Sequence, residues 1–330
     1  MKILLDANKP FFKANLHCHS TNSDGVNSVE EIKKAYKQHG YSIVAFTDHE
    51  HLIDNSHLND EDFLAITACE IAIKQFPEQS TLKNREMRVC HLNLYALHPH
   101  NVVTPCYSPT CDHFIPSEEV RRKIRYESEY ERVYSAAGIN EIVRIANEKG
   151  FIVSYNHPSW SLENATQYLG YEGIFAVEIY NTGCRRFGGF VDDEHVFDDF
   201  LRSNKRIFCI CADDNHSFAD SFGGWVCINA EKLEYKAVMN ALQKGDFYAS
   251  TGPQIFSLTQ DGLDINIKTS PCRSIGVVTR GRRVASILAK NGEQVSNAHF
   301  TLKPEDGYFR VRVTDEYGRT AYTQAYSLEV

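Results

Sequence analysis

Short apolar runs with the composition of buried strands recur along the first 250 residues. The chain contains seven of them, at residues 11–16, 41–47, 63–69, 87–95, 151–155, 174–180 and 206–212. Runs such as YSIVAFT and RIFCICA are rich in β-branched and aromatic residues and carry few charges. Such runs are typical of strands covered on both faces. We therefore predict seven buried strands at the centre of a large domain.

Between these runs, apolar residues recur at helical spacing. Ser28 and Glu31 form a capping-box pattern, and the periodic run that follows ends at Gly40. The same spacing recurs over residues 139–146, 196–201 and 233–243. This alternation of strands and helices predicts a parallel α/β barrel with its active site at the carboxyl ends of the strands.

Two stretches depart from the alternation. Residues 96–116 contain four prolines, which makes them too irregular for a barrel element and long enough for a lid over the cleft. Residues 117–134 are densely charged, and we predict a largely exposed helix there.

The pattern changes again after residue 243. Short alternating runs such as FRVRV are separated by the turn signals QDG, KNG, EDG and EYG. A length of 330 residues also exceeds what one compact core usually needs. We predict a large domain over residues 1–250 and a small all-β domain, similar to a β-sandwich, over residues 251–330.

Histidine and carboxylate side chains follow or interrupt the apolar runs. Because side chains alternate along a strand, His17 and His19 face the same way and can hold one cation together. Asp24 lies on the next loop, and Asp48 and His49 end the second run. Further candidates accompany the later runs, namely Glu70, His91, His157, Asp214 and His216. Imidazole and carboxylate ligands suit zinc, manganese or iron.

The ordered set resembles the motifs of the PHP (polymerase and histidinol phosphatase) domain metallophosphoesterases. HCH at 17–19 with SDG at 23–25 is similar to the first motif of that family, TDH at 47–49 to the second, and DNH at 214–216 to the closing Asp-x-His. The resemblance covers roughly residues 11–250 and implies a distorted (β/α)₇ barrel with a trinuclear metal site. FYASTGP and the tail after it are similar to stand-alone members with an appended β domain.

The resemblance also assigns nine metal ligands. It implies one site from His17, His19, Glu70 and Asp214, a second from Glu70, His91 and His157, and a third from Asp24, His49 and His216. Two or three divalent ions (Zn, Mn or Fe) would be the cofactors. The function implied is hydrolysis of a phosphoester by a metal-activated hydroxide. With three dications, such a ligand shell keeps a charge of roughly +3. A dianionic phosphate would neutralise most of that charge.

Other residues are candidates for proton transfer and substrate binding. His216 or His51 could deliver a proton to the departing alkoxide, and Asp48 could orient a ligand. Arg185 and Arg186, with Asn181 before them, follow the run at 174–180 and could bind the phosphate, although an exposed basic pair is an equally good interpretation. The substrate would be a small phosphorylated metabolite, a nucleotide or the 5′ end of a short oligonucleotide.

Two alternatives remain open. A metal-dependent amidohydrolase also begins with HxH on a barrel, but it usually relies on a carboxylated lysine as the bridging ligand. A catalytically silent PHP module would keep the fold and act as a structural part of an assembly.

Composition limits the classes of binding partner and the cellular location that we expect. The net charge of −8 offers no basic face for duplex nucleic acid. No run of about eighteen apolar residues predicts a membrane span, and the amino terminus does not resemble a secretory signal, so we expect a cytoplasmic protein. The ten cysteines are expected to be mostly buried, reduced thiols. The C-terminal domain could provide a dimer surface, so a homo-oligomer is possible.

Overall fold

A computed structural model of the chain describes residues 1–76, 87–290 and 292–328, without the side chains of residues 111 and 112. The strands are β1 (Lys2–Leu5), β2 (Phe11–Asn15), β3 (Ile43–Phe46), β4 (Leu64–Lys74), β5 (Val89–Ala96), β6 (Phe151–Tyr155), β7 (Ala176–Asn181), β8 (Phe208–Ala212), β9 (Trp225–Asn229), β10 (Phe247–Ser250), β11 (Ile255–Asp261), β12 (Asp264–Cys272), β13 (Ser274–Thr279), β14 (Val284–Leu288), β15 (Val295–Thr301), β16 (Tyr308–Thr314), β17 (Thr320–Thr323) and β18 (Tyr326–Ser327). The α-helices are α1 (Val29–Gln38), α2 (Glu118–Lys123), α3 (Ala136–Glu148), α4 (Ala165–Tyr168), α5 (Glu194–Arg202) and α6 (Tyr235–Lys244).

The seven predicted strands form, and β2 to β8 lie side by side in chain order within one large sheet. Within this group β2, β3 and β4 are parallel, as are β6, β7 and β8, whereas β5 is antiparallel to both of its neighbours. The prediction of a mixed α/β fold is confirmed. The predicted barrel is not confirmed, because the described strands form no closed sheet.

Short contacts join β8, at the edge of the large sheet, to segments on the other side of the fold. Just beyond β2 and β8, Cys18 and Asn215 form an isolated parallel bridge, with the amide of His19 donating to the carbonyl of Asn215 at 3.0 Å. Farther down, the side-chain amide of Gln324 donates to the carbonyl of Cys209 and accepts from its amide, at 3.0 and 2.8 Å. The bridge between Cys18 and Asn215 holds the carboxyl ends of β2 and β8 together, and both strands lead into predicted metal ligands.

The predicted helices form with one exception. The capping box at Ser28 and Glu31 begins α1, and the periodic runs become α3, α5 and α6. The prediction of a long exposed helix over residues 117–134 was wrong, because only α2 is helical there and Arg132 is buried in an ion pair with Glu50. No helix within the described residues is long and apolar enough to cross a membrane.

The C-terminal strands form two facing layers. A four-stranded sheet with the order β1-β11-β12-β15 faces the end of the large sheet that contains β13, β14, β16 and β17. Their inner faces share one apolar cluster, which includes Leu5, Ile267, Val277 and Val311. The C-terminal region is thus rich in strands, and its description as a separate β-sandwich domain stays a prediction. The boundary at residue 250 stays a prediction, and β1 pairs with β11 although it comes first in the chain.

Candidate metal centre

The first group of donors lies where β2 and β8 end. His17 and His19 follow β2, Asp214 follows β8, and Glu70 lies within β4. The Nε2 atoms of His17 and His19 are 3.1 and 3.0 Å from Asp214 Oδ1 and 3.2 Å from each other. His17 Nε2 is also 3.2 Å from Glu70 Oε1. All four residues are buried enough that their donor atoms face one another rather than solvent.

Glu70 is the central carboxylate of the site. It is 1% exposed, and both of its oxygens are surrounded by imidazoles. Oε1 is 3.1 Å from His91 Nδ1 and 3.3 Å from His157 Nε2, while Oε2 is 3.3 Å from His49 Nδ1. Antiparallel pairing brings β5, with His91, alongside β4. Glu70 therefore belongs to the first group and also forms a second group with His91 and His157.

A third group surrounds Asp24, on the loop that follows β2. Its carboxylate is 3.6 Å from His49 Nε2, 3.4 Å from His216 Nε2 and 3.7 Å from His19 Nδ1. The structure thus brings all nine predicted donors into three adjoining groups, and His19 contributes to two of them. Their role as metal ligands stays a prediction.

The site opens into a cavity of about 350 Å³. Its aromatic wall consists of Phe114, stacked on the His49 ring at 4.1 Å, and Trp160, whose ring lies 5.0 Å from that of His91. Phe187 lines the same cavity and is largely exposed. Phe114 comes from the irregular segment predicted as a lid, so this segment contributes to the cavity. The donor groups are consequently reachable by a small molecule.

The carboxylates of the site stay ionised. Burial would raise the pKa of Glu70, but the imidazoles of His91, His17 and His157 outweigh burial and hold the pKa well below its ordinary value. Burial would likewise raise the pKa of Asp214, and His17 and His19 lower it instead. The site therefore concentrates negative charge out of contact with water.

The pKa values of His17 and His19 are raised, in contrast to those of the carboxylates. Burial would lower the pKa of His17, but Asp214, Glu70 and Glu178 raise it well above its ordinary value. Asp214 and Glu70 outweigh burial at His19 and raise its pKa to about 10. His49 differs, because burial and the neighbouring His19 lower its pKa well below the usual range. Without another cation, imidazolium groups alone would have to balance the carboxylates.

Two observations indicate that these residues fit divalent cations. The facing nitrogens of His17 and His19, 3.2 Å apart, cannot both carry protons without repulsion. The Nδ1 atoms of His19 and His49 are buried, and neither has a hydrogen-bond partner among the described residues, although carboxylates lie nearby. Lone pairs of imidazole and carboxylate that point at one another are the donor set that a hard or borderline dication accepts.

Glu178 is a component of the site that the sequence analysis missed. It lies fully buried in β7, and its Oε1 is 3.1 Å from His17 Nδ1. A hydrogen bond from Nδ1–H to this carboxylate leaves the Nε2 lone pair directed at Glu70 and Asp214, the arrangement that orients a metal-binding histidine. The sequence signal was a glutamate inside the otherwise apolar run FAVEIY.

Asp48 and His51 lie behind the cavity. Asp48 accepts hydrogen bonds from the Ser20 amide at 2.8 Å and the Ser23 hydroxyl at 2.8 Å, so it fixes the loop that carries Asp24. His51 is buried, burial lowers its pKa, and it does not line the cavity. Of the three candidates for catalysis, only His216 lines it, with 38% of its side chain exposed.

The three candidates for substrate binding point elsewhere. Arg185 pairs with Asp192, and Arg186 donates to the carbonyls of Ala219 and Ser221. Neither arginine lines the cavity. Asn181 donates to Glu178 at 2.9 Å and to Asp214 at 3.0 Å, so its amide holds two carboxylates of the site in place.

Lys74 is a second residue that the sequence analysis missed. It lies four residues beyond Glu70 on β4, and because strand side chains alternate, Glu70, Ala72 and Lys74 share the face that lines the cavity. Lys74 is the only lysine or arginine among the described residues of the cavity wall. Its ammonium group is therefore the available protein cation for an anionic substrate.

Comparison with known proteins agrees with the sequence motifs. Residues 15–98 match the model of the PHP domain, which confirms the resemblance over that segment. The segment contains six of the nine donors, while His157, Asp214 and His216 lie outside it and join the site through the fold. No curated protein matches the chain at a significant level of similarity.

Several solved structures are similar to this chain at low identity. A two-domain protein from Bacteroides vulgatus with a predicted PHP-like metal-dependent phosphoesterase is 12% identical, with a TM-score of 0.48, and the match covers 99% of this chain and 96% of that one. A lesion-specific endonuclease from Pyrococcus furiosus is 15% identical, with a TM-score of 0.42 and coverage of 71% and 56%. An amidohydrolase from Chromobacterium violaceum, solved with sulfate and no metal, is 13% identical, with a TM-score of 0.38 and coverage of 62% and 87%.

Proposed function

We propose, from the PHP-domain match of residues 15–98 and the three donor groups, that this chain is a metal-dependent phosphoesterase. The observation that carries the proposal is the convergence of nine imidazole and carboxylate side chains at one end of the strands, seven of which line a cavity of about 350 Å³. The reaction proposed is hydrolysis of a phosphoester at a site with two or three divalent ions of zinc, manganese or iron.

The first ion would be held by His17, His19, Glu70 and Asp214, the second by Glu70, His91 and His157, and the third by Asp24, His49 and His216. Bound ions would supply Lewis acidity, which makes a water more acidic and stabilises charge on the phosphoryl oxygens. Glu178 would keep the Nε2 lone pair of His17 available by accepting the proton on Nδ1.

His216 is better suited to ligation than to donation of a proton. Its Nδ1 lies 3.1 Å from the carbonyl of Asp214, an arrangement that places the ring proton there and leaves Nε2 as a lone pair facing Asp24. Lys74 would bind an anionic oxygen of the substrate with its ammonium group. Asp48 and Asn181 would position ligands rather than touch the substrate.

The substrate proposed is a small phosphorylated metabolite, a nucleotide or the 5′ end of a short oligonucleotide. A cavity of this volume accommodates a small molecule. Trp160 and Phe114 offer flat apolar surfaces beside the donor groups, where a planar leaving group would be covered. If Lys74 binds substrate, Lys74→Gln is expected to raise KM by about tenfold and to change kcat less.

Phosphate release tests the proposal. The native protein would be loaded with manganese, zinc or iron and assayed with histidinol phosphate, nucleoside monophosphates and bisphosphates, and a short 5′-phosphorylated oligonucleotide. We expect release from at least one compound and its loss in Glu70→Gln, with His299→Ala as a control that changes an exposed histidine on β15. Metal bound to the native protein with no release from any compound would favour a silent PHP module instead.

Metal stoichiometry and an amide panel separate the remaining alternatives. Three ions per chain, measured by elemental analysis, would support the trinuclear arrangement, and two would contradict it. An amidohydrolase would hydrolyse amides or lactones rather than phosphoesters. Against that alternative, the carboxylate shared by two donor groups belongs to Glu70, and no lysine belongs to any of the groups.

A further inference from the structure

A second large cleft lies at the opposite end of the strands from the candidate metal centre. Its volume is about 530 Å³, and its wall includes the residues that lead into β8 and β10. The C-terminal strands supply the other wall, through residues 307–308 and 324–327. Asp214 follows the carboxyl end of β8, so the length of this strand separates the cleft from the metal donors, on the order of 15 Å.

The wall of this cleft is basic, although the chain as a whole carries a net charge of −8. Among its described residues, one carboxylate, Asp246, is outnumbered by five basic side chains, which are Lys2, Lys205, Arg206, Lys244 and Arg280. Because like charges repel, such a concentration is unfavourable unless an anion neutralises it. The local field therefore has the sign opposite to that of the whole protein.

Four of the five basic side chains form no ion pair among the described residues, although Lys244 interacts electrostatically with Asp246 of the same wall. Lys205 pairs with Glu172 at 2.5 Å. The other four are exposed, and none forms an ion pair with a described residue. Each therefore keeps its charged group available for a ligand.

Two tyrosine hydroxyls in the same wall also lack partners. Tyr308 and Tyr326 line the cleft, and the Oη atom of each is buried without a hydrogen-bond partner among the described residues. A buried hydroxyl without a partner is unfavourable and is uncommon in folded proteins. Because neither oxygen is exposed to the cleft, each ring would have to rotate slightly for its hydroxyl to donate to an acceptor bound there. This observation is independent of the basic charge and indicates the same kind of ligand.

We propose that this cleft is a second ligand site, which binds a small soluble molecule with two or more phosphate groups. The volume lies in the range of small-molecule sites and is enclosed by two layers of the protein. Arginine and lysine together with tyrosine hydroxyls form the donor set that recognises phosphate oxygens. The proposal does not depend on the reaction catalysed at the other end of the strands.

Binding of inorganic tripolyphosphate, measured by isothermal titration calorimetry, tests the site. The cleft variant is Lys244→Gln with Arg280→Gln, which removes two unpaired charges from exposed positions. Its matched control is Lys236→Gln with Arg282→Gln, which removes the same charge from exposed residues on α6 and after β13 that do not line the cleft. We expect the cleft variant to bind at least about tenfold more weakly and the control to bind as the native protein does.

His17→Ala separates the cleft from the metal centre. If the proposal is correct, His17→Ala retains tripolyphosphate binding even though its metal centre is damaged. Binding that disappears in His17→Ala and survives in the cleft variant would assign the anion to the metal centre and overturn the proposal. Absence of binding to the native protein would also overturn it.

Tyr308→Phe provides a second test that does not change charge. The hydroxyl has no protein partner, so its removal is expected to leave the melting temperature of the ligand-free protein unchanged. The increase in melting temperature caused by tripolyphosphate should be smaller in the variant. An equal increase in both proteins would show that the hydroxyl does not meet the ligand and would contradict the arrangement proposed.

Discussion

Two regions in which carboxylates are shielded from water differ in the groups that face those carboxylates. On α5, Asp198 accepts from Arg310 at 3.0 Å through both of its oxygens, and Glu194 accepts from the same guanidinium at 2.8 Å. Arg310 is 1% exposed and connects the C-terminal strands to α5. At the candidate metal centre, Glu70 and Asp214 face imidazoles, and none of their ion pairs within the described residues involves a lysine or arginine.

The difference distinguishes a structural charge cluster from a binding site. A guanidinium is always protonated and satisfies its carboxylates without help. Imidazoles can give up their protons, and their lone pairs then need a cation other than a proton. The carboxylates of the first region therefore face a permanent cation of the protein, whereas those of the second face imidazoles whose charge depends on pH, a donor set that a metal ion would fit.

The largest expected effect is at the metal centre. Asp214→Asn should bind metal poorly and lose about a thousandfold or more of any phosphoesterase activity, because one carboxylate of the first group is gone. Asparagine tolerates the backbone angle of φ = 52° at this position, so the fold should persist. Activity and bound metal would be measured together.

Chelation extends this test to the stability of the protein. The native protein should melt at a lower temperature after chelation and recover with added metal, while the melting temperature of Asp214→Asn should respond to neither treatment. Asp264→Asn, on β12, is a control with the same chemical change. If chelation leaves the melting temperature of the native protein unchanged, the proposed contrast between the two regions is wrong.

The next effect concerns Arg310. Arg310→Leu should destabilise the protein by about 3 kcal/mol, because it leaves two largely buried carboxylates, Asp198 and Glu194, with only the more distant and exposed guanidinium groups of Arg202 and Arg312. The matched control is Arg312→Leu, since Arg312 is 48% exposed and lies 3.5 Å from the same Glu194, and it should cost about 0–1 kcal/mol. Denaturant unfolding would measure both values. Equal costs would show that burial is not what makes Arg310 important.

A smaller effect is expected at Glu178. Glu178→Gln removes the carboxylate that fixes His17 but keeps its shape, and it should weaken metal affinity about 10- to 100-fold. Competition with a metal indicator would give the affinity. The control is Glu172→Gln, which makes the same chemical change at the surface. Gln324→Glu would not be a suitable control, because Gln324 bonds to Cys209 in β8. Unchanged metal affinity in Glu178→Gln would assign this residue to the core alone.

The smallest effect is a pH dependence of the metal-free protein. The folded pKa of His19, about 10, exceeds its ordinary value of 6.5, and the pKa values of His17 and His157 are also raised. Their contribution to stability is therefore fully present below about pH 6.5 and is lost as the pH rises toward 10. Unfolding curves of the chelated protein across that window would show the loss. With metal bound the trend should weaken, because metal replaces the protons.

The sequence predicted much of the fold because the strands that form the site are locally distinctive. Residues 206–212 and 41–47 are apolar for a full strand length, and such segments become buried strands almost regardless of context. The capping box at Ser28 is equally local, since both of its partners lie within one helical turn. The antiparallel direction of β5 and the pairing of β1 with β11 depend on distant segments and were not predicted.

Residue chemistry predicted the donors but not their surroundings. His17 and His19 are recognisable because side chains two positions apart on a strand face the same way, and because further histidines and carboxylates accompany the later apolar runs. Arg185 and Arg186 follow the right strand, but their guanidinium groups turn toward Asp192 and the carbonyl of Ala219. Lys74 gave no local signal, because it becomes part of the cavity only when β4 lies beside the other walls.

The sequence by itself determined which side chains can bind cations and which segments become strands and helices. Both properties follow from residue type and from contacts within a few positions of the chain. Only the tertiary structure decided that Glu70 lies at the centre of the donors, that Glu178 orients His17, and that the basic side chains face a cleft at the other end of β8. These relations join residues that are far apart in the chain, such as Lys2 and Arg280 in the cleft, and strand pairing and burial fix them rather than any local pattern.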